Sequence, residues 1–229
     1  MATMSRGHAV DRDLRVLTGP ASALLVCVIV AVGLFEALWF VVVTGSGPAA
    51  VDPAVLDWMV AHRGAALTIV ARLVTDVGSP TVTITGSVVA VGWWAWRRDR
   101  RRALLGAAGL VGLLVVDVAT KSLVARPRPP LPFHAVVAHG YSFPSGHAML
   151  SAGVALLVLW LLREHVVAMA SAVLRTVLVG AVVLAVVAVG LSRVVLAVHY
   201  PSDVLAGWAL AVLVVAVIAL VDVLRAGRR

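Results

Sequence analysis

The chain has 229 residues, 62% hydrophobic and only 13% charged, with a mean hydropathy of +1.04. That balance excludes an ordinary soluble globular domain and places the chain in the membrane class. The formal net charge of +8 comes from arginine, eighteen residues against the single Lys121, so the position of that charge must be read before nucleic acid or anionic lipid is inferred.

Residues 1–20 are polar and carry Arg6, Arg12 and Arg15, and an apolar run from Ala21 to Val43 follows. The run exceeds the roughly 7–15-residue core of a signal peptide and is expected to remain as a first span. Cys27, the only cysteine, lies inside it, which leaves no intrachain disulfide and no cysteine-based metal site. Glu36 interrupts the run, and an acid at that depth needs a partner or a wet interior. Between Gly45 and Pro80 the pattern changes. Asp52, as a cap with Pro53 behind it, starts a helix, and Leu67, Val70, Ala71 and Val74 recur at one-face spacing, which predicts interfacial helix rather than span.

Gly78-Ser79-Pro80 breaks the chain before a short second span over about 80–96, where Trp93, Trp94 and Trp96 form an aromatic belt. The arginine-rich 97–102 segment precedes a third span at 103–120. A polar segment leads to a fourth span at 145–162, a turn with Arg163 and Glu164 to a fifth at 176–198, and a corner to a sixth at 204–224. The expectation is an all-α integral membrane protein: one domain over 1–229, six transmembrane helices, interfacial helices between spans 1 and 2, and no internal repeat.

With the N-terminus inside, thirteen of the nineteen basic residues fall on the cytoplasmic side. The positive-inside bias therefore supports cytoplasmic N- and C-termini, and makes the 97–102 run a topology signal rather than a nucleic-acid patch. Arg63, Arg72, Lys121, Arg126, Arg128 and Arg193 remain outside, most of them at the lips of spans, where a cation excess needs another reason.

Three polar clusters share that outer side. In Pro144-Ser145-Gly146-His147, Ser145 can cap the fourth span, with the backbone N–H groups of Gly146 and His147 at the positive end of the helix dipole, a metal-free phosphate site. Lys121, Arg128 and Arg193 can clamp phosphoryl oxygens or simply snorkel. In the stretch 192–203, a helix running through Val198 puts Ser192 and His199 on one face, while Pro201 starts a new helix with Asp203 in its first turn. Asp203 can then hold His199 neutral for attack on phosphorus, with His147 exchanging the proton of the leaving group.

Lys-x6-Arg-Pro at 121–129, Pro-Ser-Gly-His at 144–147 and Ser-Arg-x5-His-x3-Asp at 192–203 together resemble the three-part signature of the type 2 phosphatidic acid phosphatase superfamily. The resemblance implies a six-helix membrane lipid phosphatase working without metal or other cofactor. It implies His199 as nucleophile, Asp203 as its orienting acid, His147 as acid/base, and phosphate contacts at Lys121, Arg128, Ser145, Gly146, Ser192 and Arg193. It further implies a phosphohistidine intermediate and a site on the outer face of the cell membrane. The substrate would be an isoprenoid diphosphate, phosphatidylglycerophosphate or phosphatidate in the bilayer, with no obligatory protein partner. Bacterial phosphatidylglycerophosphate and undecaprenyl-diphosphate phosphatases share this compact layout, and the six spans argue against the soluble haloperoxidases of the same superfamily. A lipid phosphotransferase and a non-catalytic anion-binding membrane protein stay as alternatives. Asp117 is placed to pair with Lys121 or to pack its helix. Arg126, His134 and His139 read as solvated loop residues, and Tyr200 and Ser202 as corner formers.

Overall fold

The computed structural model describes residues 19–46 and 48–227, so the expectations resting on Arg6, Arg12, Arg15, Arg228 and Arg229 lie outside the described residues. The described chain is helical: α1 (Pro20–Thr44), α2 (Pro48–His62), α3 (Ala65–Val77), α4 (Pro80–Trp96), α5 (Arg100–Val124), α6 (Gly146–Leu161), α7 (Arg163–Val167), α8 (Ala172–Val195) and α9 (Pro201–Ala226). A 3₁₀ turn at Leu131–Phe133 interrupts the long α5–α6 connection. By length and composition, α1, the α3–α4 stretch Ala65–Trp96, α5, α8 and α9 can each cross a membrane, and α6 is a shorter apolar helix.

Local chemistry starts several of these helices. The Ser79 hydroxyl accepts from Val82 N–H, Asp99 Oδ1 from Arg102 N–H and the Ser171 hydroxyl from Leu174 N–H, each satisfying a donor that the first turn leaves orphaned. Pro80 and Pro201 occupy first helical positions, where no N–H is needed.

Helix α9 is the central element, packed on α1, α6 and α5 and on α2. It buries Asp203, Ala206, Gly207, Leu210, Ala211 and Ala219 along its length. Leu113 of α5 and Met149 of α6 are fully buried against Leu210 and Ala211. Small residues set the spacing: Gly109 faces Leu157 and Gly153 faces Leu113, so α5 and α6 approach closely along their length. The sixteen-residue α6 rises only about 24 Å, short of the roughly 30 Å hydrocarbon layer. Its N-terminal end follows the 125–145 segment. The Arg63 guanidinium donates to the Phe133 and Val195 carbonyls at 2.5 and 3.1 Å, and Arg72 donates to the Ala135 carbonyl at 2.5 Å, tying that segment to the α2–α3 unit.

Four local expectations change. Helix α2 begins at Pro48, so Asp52 lies inside it rather than capping it, and its carboxylate turns inward with an exposure of 2%. On α3 the packed face runs through Ala71, Val74, Thr75 and Gly78, while Val70 is exposed and Leu67 lines an open apolar cavity, because the helix lies against α8 at Val189, beneath Gly78. Helix α8 stops at Val195, where Ala197 turns left-handed at φ 55°, so His199 stands beyond the helix rather than on the face of Ser192. Glu36 is exposed on α1 with no ion pair among the described residues, not turned to a wet interior.

Close backbone approach is most demanding at Gly207. A Cβ there would lie 2.7 Å from the Ser145 carbonyl oxygen and 3.1 Å from Met149 N, and neither can rotate aside. Gly207→Ala is expected to lower unfolding stability by about 1–3 kcal/mol, read as a fall in Tm in detergent. Gly180→Ala, with no atom within 4 Å of its added methyl, should show no loss. An unchanged Tm for Gly207→Ala would remove this contact as the spacer of α6 and α9.

Candidate active site

The corner between α8 and α9 is held by buried polar groups. The Ser145 N–H at the start of α6 donates to the Asp203 carbonyl at 2.9 Å, joining the second and third clusters through backbone. Asp203 is fully buried in the first turn of α9. Its Oδ1 accepts from Arg126 at 2.5 Å and its Oδ2 from the Tyr200 N–H at 2.9 Å, with His199 Nδ1 3.4 Å from the same Oδ2. That last separation is longer than a formed hydrogen bond, and Nδ1 has no other partner.

The opposite ring nitrogen, His199 Nε2, lies 3.0 Å from Arg128 Nη1. A guanidinium can only donate, so Nε2 is the unprotonated nitrogen and the ring proton sits on Nδ1, facing Asp203. Burial pushes the His199 imidazole down to about 4, with Asp203 opposing the shift and Arg128 and Arg193 adding to it. The ring is therefore neutral at pH 7, with its lone pair on Nε2.

Arg128 also donates to the carbonyls of Val198 at 2.8 Å, His139 at 2.9 Å and Gly140 at 3.0 Å. Lys121 Nζ donates to Asp117 Oδ1 and, at 2.8 Å, to the Pro144 carbonyl, so Asp117 is an ion-pair partner. Gly146 packs over both: a Cβ there would lie 3.3 Å from the Asp117 carboxylate and from Lys121 Nζ. Arg193, 5% exposed, donates Nη1 to the Thr75 hydroxyl at 2.7 Å. The Ser192 hydroxyl donates to the Val189 carbonyl at 2.6 Å within its own helix.

Besides His199 Nδ1, the Ser145 hydroxyl and Arg193 Nε remain unspent at this corner, and Trp208 Nε1 is unspent on α9. Ser145 occupies the N-cap position of α6, but its side chain makes no cap bond, so the expected side-chain cap is replaced by a free hydroxyl. The first N–H groups of α6, including those of Gly146 and His147, have no carbonyl a turn earlier to accept them. Lys121, Arg128, Arg193 and His199 all lie close enough to His147 for their charges to act on it. Buried donors without acceptors are costly, and here they converge with three cations and a helix N-terminus, an arrangement that suits an anion of several oxygens. Among the described residues no three His, Cys, Asp or Glu side chains are placed to hold a metal ion.

Several site-building residues were not legible as such. Arg126, expected in solvent, bridges Asp203 and Asp52, the latter at 2.8 Å, and stacks over the Tyr200 ring at 4.3 Å. Asp52 also accepts from the Ser202 N–H at 3.1 Å and from the Ser202 hydroxyl. A usable signal existed: Asp52 shares a helical stripe with buried Leu56, so it sits on the packed face. Thr75 shares one with Ala71. His134 bonds only the Pro129 carbonyl, at 2.8 Å, and His139 is exposed, in keeping with loop roles.

The chain is similar to proteins of known structure. The crystal structure of a transmembrane PAP2-type phosphatidylglycerolphosphate phosphatase from Bacillus subtilis is similar at a TM-score of 0.70 and 25% identity, covering 84% of this chain and 95% of that one. Aquifex aeolicus LpxE is similar in fold at a TM-score of 0.56 and 17% identity, covering 74% and 94%. No curated protein matches the sequence. The model of the PAP2 superfamily matches residues 102–225, more than half of the chain and all three clusters, and the chain therefore belongs to the PAP2 superfamily as a multi-pass membrane lipid phosphatase.

Proposed function

We propose that this phosphatase hydrolyses a phosphomonoester or diphosphate of a membrane lipid through a phosphohistidine on His199, without a metal ion. The observation that carries the reading is the pairing of a neutral His199, its Nδ1 proton facing Asp203, with the unspent Ser145 hydroxyl and Arg193 Nε–H. The phosphoryl oxygens take those donors, the α6 N–H groups of Gly146 and His147, the ammonium of Lys121, and the Ser192 hydroxyl once it turns from the Val189 carbonyl. They also draw Arg128 Nη1 off His199 Nε2, which exposes the lone pair. That lone pair attacks phosphorus and the P–O bond to the lipid oxygen breaks, while His147 gives the leaving oxygen its proton. Water then attacks the phosphorus with His147 as base, the P–N bond breaks, and its electrons return to Nε2. Asp203 holds the ring through both steps and offsets the charge that develops on it.

A cavity of about 480 Å³ supports a lipid rather than a water-soluble ester. It is lined almost wholly by apolar atoms, among them Trp58, Leu67, Val194, Val204, Leu205 and Trp208, and two of these, Val194 and Val204, directly follow Arg193 and Asp203 in the chain. A hydrocarbon chain fits there with its head group at the cations. The candidate lipids are isoprenoid diphosphates, phosphatidate and phosphatidylglycerophosphate, and the Bacillus subtilis structure, a phosphatidylglycerolphosphate phosphatase, favours testing the last first. The inner excess of arginine supports a site on the outer face of the plasma membrane with both termini cytoplasmic.

Phosphate release from a panel of these lipids in detergent, with EDTA present, should persist in the parent protein. In His199→Ala it should fall at least about a thousand-fold. Retained activity in His199→Ala, or loss in EDTA that Mg²⁺ restores, would sink the mechanism.

The pH dependence follows from His199. Protonation removes its lone pair only as pH falls toward about 4, so kcat/KM should fall along an acid limb below pH 5 rather than near 6.5. Arg128→Gln removes a cation that lowers the His199 value, so it should move that limb to higher pH. An acid limb at 6–7 that Arg128→Gln leaves in place would assign it to another group.

The cavity is tested by Leu205→Trp, which fills it from the lipid side. KM should rise for a long-chain lipid phosphate and stay unchanged for p-nitrophenyl phosphate. Equal effects on both would remove the cavity as the chain site.

A further inference from the structure

Arg126 and Asp52 stand outside the signature positions, yet they make the best-formed ion pairs near the corner. The Arg126 fork puts Nη1 on Asp203 Oδ1 at 2.5 Å and Nη2 on Asp52 Oδ2 at 2.8 Å, with Nη1 also 2.8 Å from the Ser202 hydroxyl. Both carboxylates are buried, Asp203 at 0% and Asp52 at 2% exposure. A guanidinium engaging two carboxylates and stacked on a ring has little rotational freedom left. Asp203 thus has one oxygen clamped by Arg126, and the other is left to the Tyr200 N–H and to His199.

The charges matter as much as the geometry. Alone against Asp203, Arg126 would cancel the field that the carboxylate directs at His199. Shared with Asp52, the three groups carry a net −1, so Asp203 keeps a negative potential toward the imidazole. Asp52 comes from α2 and Arg126 from the start of the α5–α6 connection, so the arrangement exists only when α2 is seated.

The geometry points to Asp52 and Arg126 as a positioning pair for catalysis: Arg126 fixes the rotamer of Asp203, Asp52 preserves the charge of Asp203, and together they set the tautomer and aim of His199. This rests on the reading of His199 as nucleophile. The pair touches neither substrate nor reacting atoms. The groups facing His199 from the elements around it are Asp203 of α9, Arg193 of α8, Arg128 of the connecting segment and His147 of α6. None of them duplicates the role of Asp52.

The experiment measures kcat, KM and the pH profile with one lipid phosphate for Asp52→Asn, Arg126→Lys, Arg126→Gln and the double variant Asp52→Asn/Arg126→Gln. Rates are expressed per vanadate-binding site, so that a misfolded fraction does not count. Asp52→Asn and Arg126→Gln should lower kcat by up to about a hundred-fold, the scale of a displaced catalytic group, with KM within two-fold. Arg126→Lys should recover part of that loss. The double variant should be no slower than Arg126→Gln, since both changes break one unit. The acid limb should move in opposite directions, to higher pH when the cation of Arg126 is removed and to lower pH when the anion of Asp52 is removed, a split that a purely structural role does not produce. A kcat within two-fold of the parent in the single variants, additive losses, or limbs that stay together would overturn the proposal. A parallel His199→Ala arm separates the two ideas: if it keeps activity, the nucleophile reading fails, and if it is dead while Asp52→Asn and Arg126→Gln are normal, only the positioning pair fails.

Discussion

A fully buried carboxylate at the head of the central helix is the constraint around which this fold is arranged. Ionised Asp203 cannot sit in a low-dielectric interior unless cations and N–H donors surround it. Its partners come from three places, Tyr200 and His199 in its own corner and Arg126 from the α5–α6 connection, with Asp52 of α2 behind Arg126. Satisfying one charge therefore draws an interfacial helix, a long loop and two membrane helices to the same point. The Ser145 N–H on the Asp203 carbonyl brings the start of α6 there as well.

The same end of the bundle is left under-satisfied in another respect. Lys121, Arg128 and Arg193 lie around His147, and the Ser145 hydroxyl and Arg193 Nε have no acceptor. A site of this kind gives up stability when empty and recovers it when an anion of several oxygens enters, the ordinary relation between a functional site and the fold that carries it. Other cations near this end serve the architecture. Arg63 and Arg72 hold loop carbonyls and Arg126 holds carboxylates.

At the opposite end the arginines follow a different logic. Arg101 makes a two-pronged pair with the buried Asp222, at 2.8 and 2.5 Å, and Trp160 Nε1 donates to the same carboxylate at 3.1 Å. That cluster fastens α5, α6 and α9 at one end as Asp203 fastens the other. The central helix is thus anchored by a carboxylate near each end, with small residues between them permitting the close approach of α5 and α6.

The sequence by itself determined the membrane class, the all-helical fold and the three polar clusters, since hydropathy, proline and cap positions and motif spacing are local properties. It placed Pro201 at a helix start and Asp203 in the first turn, because both follow from proline chemistry alone. Only the tertiary structure decided which polar residues complete the site. Arg126 and Asp203 are 77 positions apart, and Arg126 and Asp52 are 74, so no local pattern distinguishes a loop arginine in solvent from one buried between two acids. Thr75 behind Arg193 was hidden for the same reason. The end of α8 was hidden for another, since Ala197 adopts a left-handed turn without the glycine that would mark it. There the packing of the corner against the 125–145 segment overrides the local preference of the chain, and so decides where His199 stands.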